Sequence, residues 1–570
     1  MRETLLTRLE RAAARAPAKG LVFLDRHEQE TPVGWAEVYT RASAVAGGLR
    51  ARGVRPGDTV AVVLPTAPAF FDGFFGAALA GAIPVPLYPP ARVGRLEEYQ
   101  ARTAAMLAAA RVRLVLADGR TLRILGEAAA RARCELGSVD VAEVTGPPVA
   151  HAARPRDLAM VQFSSGTTVD PKPVGLTHAN LLANMRAMSD VFLEAGTDIV
   201  EHGVSWLPLY HDMGLIGCAL LAVFHPASLT LLPPELFIAR PALWLRALSR
   251  TRASVSAAPN FAYAFCTERV RDDEMEGVDL SGWRFALNGS EPVSATTLRK
   301  FVTRFARWGF RPEALTPVYG LAEATLAVTF SDWRRPFRAT RFDRTALAEG
   351  RAEPNVDGTE LVSVGRPLPG VIVAAPVDTI GAIRVKGPSV MAGYLHQPER
   401  TAATIVDGWL DTGDLGFLHG GELYVCGRTR DVVILRGRNY MPHEIEQALD
   451  TMPGVRSGGV AAVGHRAEDG EEECLVVFVE AREPDPSLAQ RCREAILGAT
   501  GLDPALLVVL PAGTLPSTSS GKIRRADALA QWLAGTLMSP DKITPDVLAG
   551  ALARSTLARW APGPTSGVPG

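Results

Sequence analysis

Nine residues, Ser164-Ser165-Gly166-Thr167-Thr168-Val169-Asp170-Pro171-Lys172, bring together four hydroxyls, a glycine turn and one ammonium. Hydroxyls, backbone N–H groups freed by a tight turn and a point positive charge suit a polyphosphate. The spacing does not fit G-x-x-x-x-G-K-[ST], so the run is not the P-loop of that NTPase class. By itself it reads equally well as a solvated Ser/Thr/Gly turn between two elements.

Four further polar clusters follow. Asn288-Gly289-Ser290-Glu291-Pro292 comes after a strand-like run, Arg284–Leu287, and before a helix starting at Ala295 that Ser294 can cap. Tyr319-Gly320-Leu321-Ala322-Glu323 ends another apolar run and offers an aromatic face and a carboxylate for a cation; a first-turn helix acid is the plainer reading of Glu323. Asp411-Thr412-Gly413-Asp414 is read as a turn after Trp409, with Gly427-Arg428 downstream. A carboxylate there can accept from both hydroxyls of a ribose, and a guanidinium can donate to ribose or phosphate oxygens. Ser517-Thr518-Ser519-Ser520-Gly521-Lys522 puts one lysine at the tip of a flexible, hydroxyl-rich loop, where a lysine is ordinarily just solvated.

The elements that must position these groups are legible as pattern. Apolar runs such as Asp58–Leu64, Ile83–Leu87, Val112–Leu116 and Leu229–Leu232 alternate with longer amphipathic segments, which indicates parallel strands with crossover helices up to about residue 330. After Val362 the pattern is shorter and more strand-like. From Asp431 a separate α+β pattern begins, with strands at 460–463, 474–479 and 506–510 and a helix near 488–497. With 60 basic against 61 acidic side chains there is no net field for nucleic acid or an anionic membrane. The six cysteines form no C-x-x-C pair, which suits a reducing compartment and argues against zinc. The first residues read as a folded helix rather than a secretory signal, and the apolar stretch Gly214–Phe224 is too short to span a bilayer, so a cytoplasmic protein without membrane insertion is expected.

In this order, the clusters resemble the adenylate-forming superfamily of acyl-CoA synthetases, luciferases and peptide-synthetase adenylation domains, over residues 35 to 525. The resemblance implies an α/β fold. A large N-terminal adenylation domain (1–427) of parallel-rich sheets, helices and a β-rich subdomain would join, through a hinge at 428–431, a smaller mobile α+β domain (432–534) and a partly disordered tail (535–570). It further implies ATP and Mg²⁺ as cofactors. Ser165, Gly166, Thr167, Thr168 and Lys172 would form the phosphate loop, and Asn288, Gly289 and Ser290 with Tyr319 and Gly320 would hold adenine. Glu323 would bind Mg²⁺, Asp414 and Arg428 the ribose, and Lys522 would bridge the substrate carboxylate and the α-phosphate. Arg430 would be the hinge residue.

Within the superfamily, Pro208-Leu209-Tyr210-His211-Asp212-Met213-Gly214-Leu215-Ile216-Gly217 and the segment 330–361 resemble the signature and the insertion of the fatty acyl-AMP ligases. That likeness implies a fatty acid as substrate and a separate acyl carrier protein as acceptor, since no Gly-x-Asp-Ser-Leu-like attachment site is present. His211, Asp212, Met213, Asn260, Phe261 and Tyr263 would line or gate the acyl pocket. Val169 and Pro173 stand where the family has glycine, so a reshaped phosphate loop is expected. Two other readings stand beside this one: an acyl-CoA ligase, and a non-catalytic nucleotide- or carrier-binding protein.

Overall fold

The computed structural model describes residues 3–90, 96–149, 151–164, 171–196, 201–435, 438–450, 452–466, 473–518 and 522–538. Its largest sheet has nine strands, in the order Arg366–Pro367, Ala327–Phe330, Leu315–Gly320, Phe285–Asn288, Val255–Ala258, His202–Ser205, Ser228–Leu231, Gly20–Leu24 and Glu30–Gly34. From Leu315–Gly320 to Gly20–Leu24 neighbouring strands run parallel; antiparallel strands close both edges. A second, all-parallel sheet is built from Ile83–Pro86, Thr59–Val63, Leu114–Ala117 and Ser138–Asp140. Three of its strands are buried at every position, as expected for strands covered on both faces. Pro84 and Pro86 cannot donate to a ladder, and their strand is at the sheet edge. The helix Pro68–Leu79 buries Phe70, Phe71, Phe74 and Phe75, which pack edge-on and stacked in the principal core.

Two smaller sheets complete the candidate site that the large sheet's strand ends begin, and a third belongs to the C-terminal core. Strands Leu158–Phe163 and Pro173–Thr177 pair antiparallel, Phe163 opposite Pro173, and Gly393–Tyr394 joins the second of them. Pro173 therefore opens a strand, where its missing N–H costs least. A five-stranded antiparallel sheet contains the long strand Trp409–His419 paired with Glu422–Arg428. Asp411–Asp414, read from sequence as a turn, is part of that strand: a register shift opposite Ala382 to Arg384 and a positive φ of 70° at Gly413 create the local kink that the composition suggested. From Val433 the chain builds another core, in which Val460, Val477, Val479, Ile496 and Cys492 pack from the sheet Val455–His465, Cys474–Ala481, Leu506–Pro511 and the helix Leu488–Thr500. Beyond residue 538 the expected tail is outside the described residues. Among the described residues no helix is long and apolar enough to cross a membrane.

Segment 330–361 is a built element. Ala339–Phe342 and Thr359–Val362 form a two-stranded antiparallel sheet flanking a short helix, Arg344–Ala348, capped by Asp343. Its Phe342, Leu347, Ala352 and Leu361 share a cluster with Phe417, Tyr424 and Cys426 of the long hairpin and with Met441 from beyond residue 433. Arg438 reaches Glu349 at 3.7 Å across the same seam.

Glu444, at the start of the helix Pro442–Asp450, sits at this seam; burial pushes its pKa up to about 7, against the field of Arg344 and a bond from the Met441 backbone. A carboxyl whose folded pKa is raised favours the folded state while protonated, so this contribution is present at acidic pH and is lost as pH rises from the unfolded carboxylate value toward 7. Glu444→Gln is expected to be more stable than the parent at pH 8 by on the order of 1–2 kcal/mol, and equal to it only below the unfolded carboxylate pKa, at about pH 3.5. Urea unfolding at the two pH values checks this; an equal effect at both would contradict it.

Candidate active site

The site forms where the C-terminal ends of adjacent parallel strands face the long antiparallel hairpin. Asn288 ends one strand and Gly320 ends its parallel neighbour, the edge at which open α/β sheets hold ligands. Asn288 is fully buried, and its Nδ2 donates to Asn260 Oδ1 at 3.4 Å. Its own Oδ1 is buried and, among the described residues, has no hydrogen-bond partner. An unpaired buried acceptor is costly unless a ligand donor reaches it, and the exocyclic amine of adenine is such a donor. Gly289 packs directly on Val318, leaving no room for a Cβ, and Ser290 adopts φ 73°, a conformation unusual for a non-glycine residue. At Gly320 a Cβ would lie 1.8 Å from the Leu326 carbonyl oxygen, so only glycine allows the chain to fold back there.

From the opposing hairpin, Asp414 and Arg428 are paired in register, with Arg428 Nε 3.2 Å from Asp414 Oδ1. The Tyr319 hydroxyl donates to Asp414 Oδ2 at 2.7 Å and so ties the hairpin to the strand end. Burial pushes the Asp414 carboxyl up in pKa, opposed by the Arg428 charge and the Tyr319 hydrogen bond. Beyond the aromatic face that the sequence offers a base, the Tyr319 hydroxyl orients a carboxylate.

The loop 165–170, with Ser165, Gly166, Thr167, Thr168 and Val169, is outside the described residues. Its flanks are joined: the Ser164 N–H donates to the Lys172 carbonyl at 3.4 Å, and Gln397 Nε2 donates to the Pro171 carbonyl at 3.3 Å. Lys172 Nζ lies 5.7 Å from the centre of the Tyr394 ring, whose hydroxyl donates to Glu323 Oε1 at 3.0 Å. One tyrosine thus contacts both the lysine and the carboxylate assigned to phosphate and cation chemistry. Glu323 is in a single 3₁₀ turn held by the Met391 N–H on its carbonyl, and the turn ends at Thr325 with φ 72°. Tyr394 escaped sequence reading because a Gly-Tyr pair carries no charge or spacing signal.

Lys522 is not at the tip of a free loop. Ser517 and Ile523 form a β-bridge, the Thr518 N–H donates to the Lys522 carbonyl at 2.7 Å, and the Lys522 N–H donates to Thr518 Oγ1 at 3.0 Å. The clasp holds Lys522 half-buried. Burial and the neighbouring Arg428 pull its pKa down, against the attraction of Asp212, Glu291 and Asp414. Beside it, Glu291 Oε1 accepts from the Phe261 N–H at 2.6 Å, and burial raises the carboxyl's pKa.

The remaining expectations divide. His211 Nδ1 is 2.8 Å from Asp212 Oδ1, which also accepts the Met213 N–H at 2.7 Å. Burial works to raise the Asp212 pKa, but the charge and hydrogen bond of His211, with Lys522, bring it down. Six residues of π-helix, Leu215–Leu220, follow at once, a distortion concentrated at functional sites. Asn260 and Phe261 open the helix beside Asn288 and Glu291. Tyr263 faces elsewhere. It is fully buried against Trp244, Trp283 and Phe301, with its hydroxyl on the Leu287 carbonyl, so it is core rather than pocket: less than one turn of helix separates it from Phe261, yet a two-residue step turns the side chain to the other side of the helix. Arg430 is exposed in the turn Thr429–Asp431 after the hairpin, 3.6 Å from Asp431.

With this geometry in hand, comparison gives the class. The chain belongs to the AMP-binding enzyme family, whose model matches residues 9–395. It is 34% identical to a long-chain-fatty-acid–AMP ligase of Mycobacterium tuberculosis over 544 residues, covering 87% of this chain and 91% of that protein. It is 32% identical to a 4-hydroxyphenylalkanoate adenylyltransferase of Mycobacterium marinum over 538 residues, covering 87% and 85%. A solved structure from work on fatty acyl-adenylate ligases of E. coli and L. pneumophila superposes with a TM-score of 0.87 at 32% identity, covering 93% of this chain and 98% of that one. The fold is that of the adenylate-forming ligases, as the sequence resemblance implied.

Burial also lowers the Lys172 pKa, against the attraction of Glu323. Competitive amine labelling across pH, read by mass spectrometry, is expected to give midpoints for Lys172 and Lys522 below the ordinary lysine value of about 10.4. Midpoints at or above that value would contradict the buried placement of both.

Proposed function

We propose that this chain activates a fatty or related carboxylic acid as acyl-AMP and passes the acyl group to the phosphopantetheine thiol of a separate carrier protein. The observation that carries this reading is the convergence of Lys522 with Asp414, Arg428 and Tyr319 beside the Asn288 amide oxygen, which has no partner among the described residues. In the first step a carboxylate oxygen bonds to the α-phosphorus of ATP while the bond from that phosphorus to the pyrophosphate oxygen breaks. No general base is needed, because the attacking acid is already ionised at neutral pH. The obstacle is anion meeting anion. Lys522 offsets the charge that builds at the α-phosphate, Lys172 steadies the departing phosphates, and Asp414 with Arg428 fixes the ribose. Mg²⁺, held by Glu323, would neutralise phosphate oxygens and draw off charge. Tyr394 leaves Glu323 one defined orientation for that task. In the second step the thiol sulfur bonds to the acyl carbon, AMP leaves, and the thiol proton passes to solvent.

The acyl end is read as the surface beyond His211, Asp212, Met213, Asn260 and Phe261. Residues 1–427 act as the larger domain and 432–534 as one that turns about Arg430, with 428–431 as hinge. The packing of 339–362 on Met441, and its ion pair to Arg438, supports a brace that favours carrier over CoA.

Two measurements test this. Acid-dependent exchange of pyrophosphate into ATP is expected with a subset of a carboxylic acid panel, and Lys522→Ala is expected to lose it by about a hundredfold or more; exchange at the parental rate would overturn the assignment. With CoA alone, mass spectrometry should find acyl-AMP accumulating, whereas a cognate holo carrier protein should become acylated. Rapid acyl-CoA synthesis would make the chain an acyl-CoA ligase and leave the adenylation step standing.

A further inference from the structure

The Lys522 hairpin is anchored at its base by a contact with a helix 426 positions earlier in the chain. Arg524, two residues past Lys522, is only 5% exposed, and its Nη1 donates to Glu98 Oε1 at 3.1 Å. Glu98 belongs to the first turn of the helix Leu96–Ala109, which packs on the four-stranded parallel sheet rather than on the site. Asp527 pairs with the same guanidinium, and Arg102 stands 3.9 Å from Glu98 on the helix's next turn. Tyr88 is the other titratable group facing the pair; its ring abuts those of Tyr99 and Tyr210, and Tyr210 precedes His211. Between Arg524 and Lys522 the backbone has little slack, because the Arg524 N–H donates to the Pro516 carbonyl and the 517–523 bridge closes above it.

We propose that Glu98 is a positioning residue for Lys522: by neutralising the buried Arg524 it holds the hairpin in the place from which the ammonium reaches the α-phosphate. This rests on the adenylation reading above and deepens it. A buried guanidinium that loses one of its two carboxylates is strongly disfavoured, and its nearest relief is to draw toward solvent. Lys522, on the same clasp, withdraws with it from Asp212, Glu291 and Asp414. Neither Glu98 nor Arg524 touches the proposed nucleotide contacts, so ATP affinity is not at stake.

The test is Glu98→Gln in the full chain, beside Lys522→Ala and a conservative Glu98→Asp. Glu98→Gln is expected to slow single-turnover acyl-AMP formation about tenfold with an unchanged Kd for ATP, and Glu98→Asp should recover part of the rate. The labelling midpoint of Lys522 should rise toward that of an ordinary lysine, while that of Lys172 stays where it was. A parental rate and an unmoved Lys522 midpoint in Glu98→Gln would overturn the proposal. So would equal shifts at Lys172 and Lys522 with a lowered Tm, which would mark a general loss of structure. A fully active Lys522→Ala would instead overturn the adenylation reading itself, so the two failures are distinguishable.

Discussion

The chain concentrates opposite charges at one partly buried point, and the rest of the architecture serves to hold them there. Lys522 lies in the field of Asp212, Glu291 and Asp414, and Arg428 pairs with Asp414 while repelling Lys522. Such an arrangement is costly to desolvate and useful only to a ligand that brings its own negative charge. A nucleotide triphosphate beside a carboxylate is such a ligand. The amide oxygen of Asn288, buried at a strand end and without a partner among the described residues, extends the same logic to a base.

Separate pieces of chain supply these charges, and each is fixed by a local device. Asp414 and Arg428 face each other because antiparallel pairing puts them in register. Tyr319 brings that pair to the end of a parallel strand. Glu323 is held by Tyr394 from the short strand that pairs with Pro173–Thr177, and Lys522 by a clasp of two hydrogen bonds. The element at 339–362 joins the hairpin carrying Asp414 to Met441, so the same hairpin links the proposed nucleotide contacts to the part of the chain that follows residue 433.

Much of this was legible in the sequence because it follows from short-range pattern. The buried parallel strands announce themselves as unbroken apolar runs, and the N-cap of Ser294 on the helix Ala295–Phe305 is a local signal. The polar clusters were found because several coincide in one order. Long-range partners were not legible. Tyr394 meets Glu323 across 71 positions and Glu98 meets Arg524 across 426, and neither pair has a spacing that a linear reading could detect. Two local inferences failed for definable reasons. A Gly-Asp-rich stretch was read as a turn where a bulged strand accommodates the glycine, and Tyr263 was grouped with its neighbours Asn260 and Phe261 although helical rotation sends it into the core.

The central claim is that the acyl-adenylate is made between Lys522 and the Asp414–Arg428 pair. A crystal structure of the protein with a non-hydrolysable acyl-adenylate mimic measures this directly. The expected result is the ribose hydroxyls on Asp414, the adenine amine within hydrogen-bond reach of Asn288 Oδ1, and the Lys522 ammonium at the bridge between acyl group and phosphate. A mimic bound elsewhere, or bound here with Asp414 and Lys522 out of contact, would contradict it.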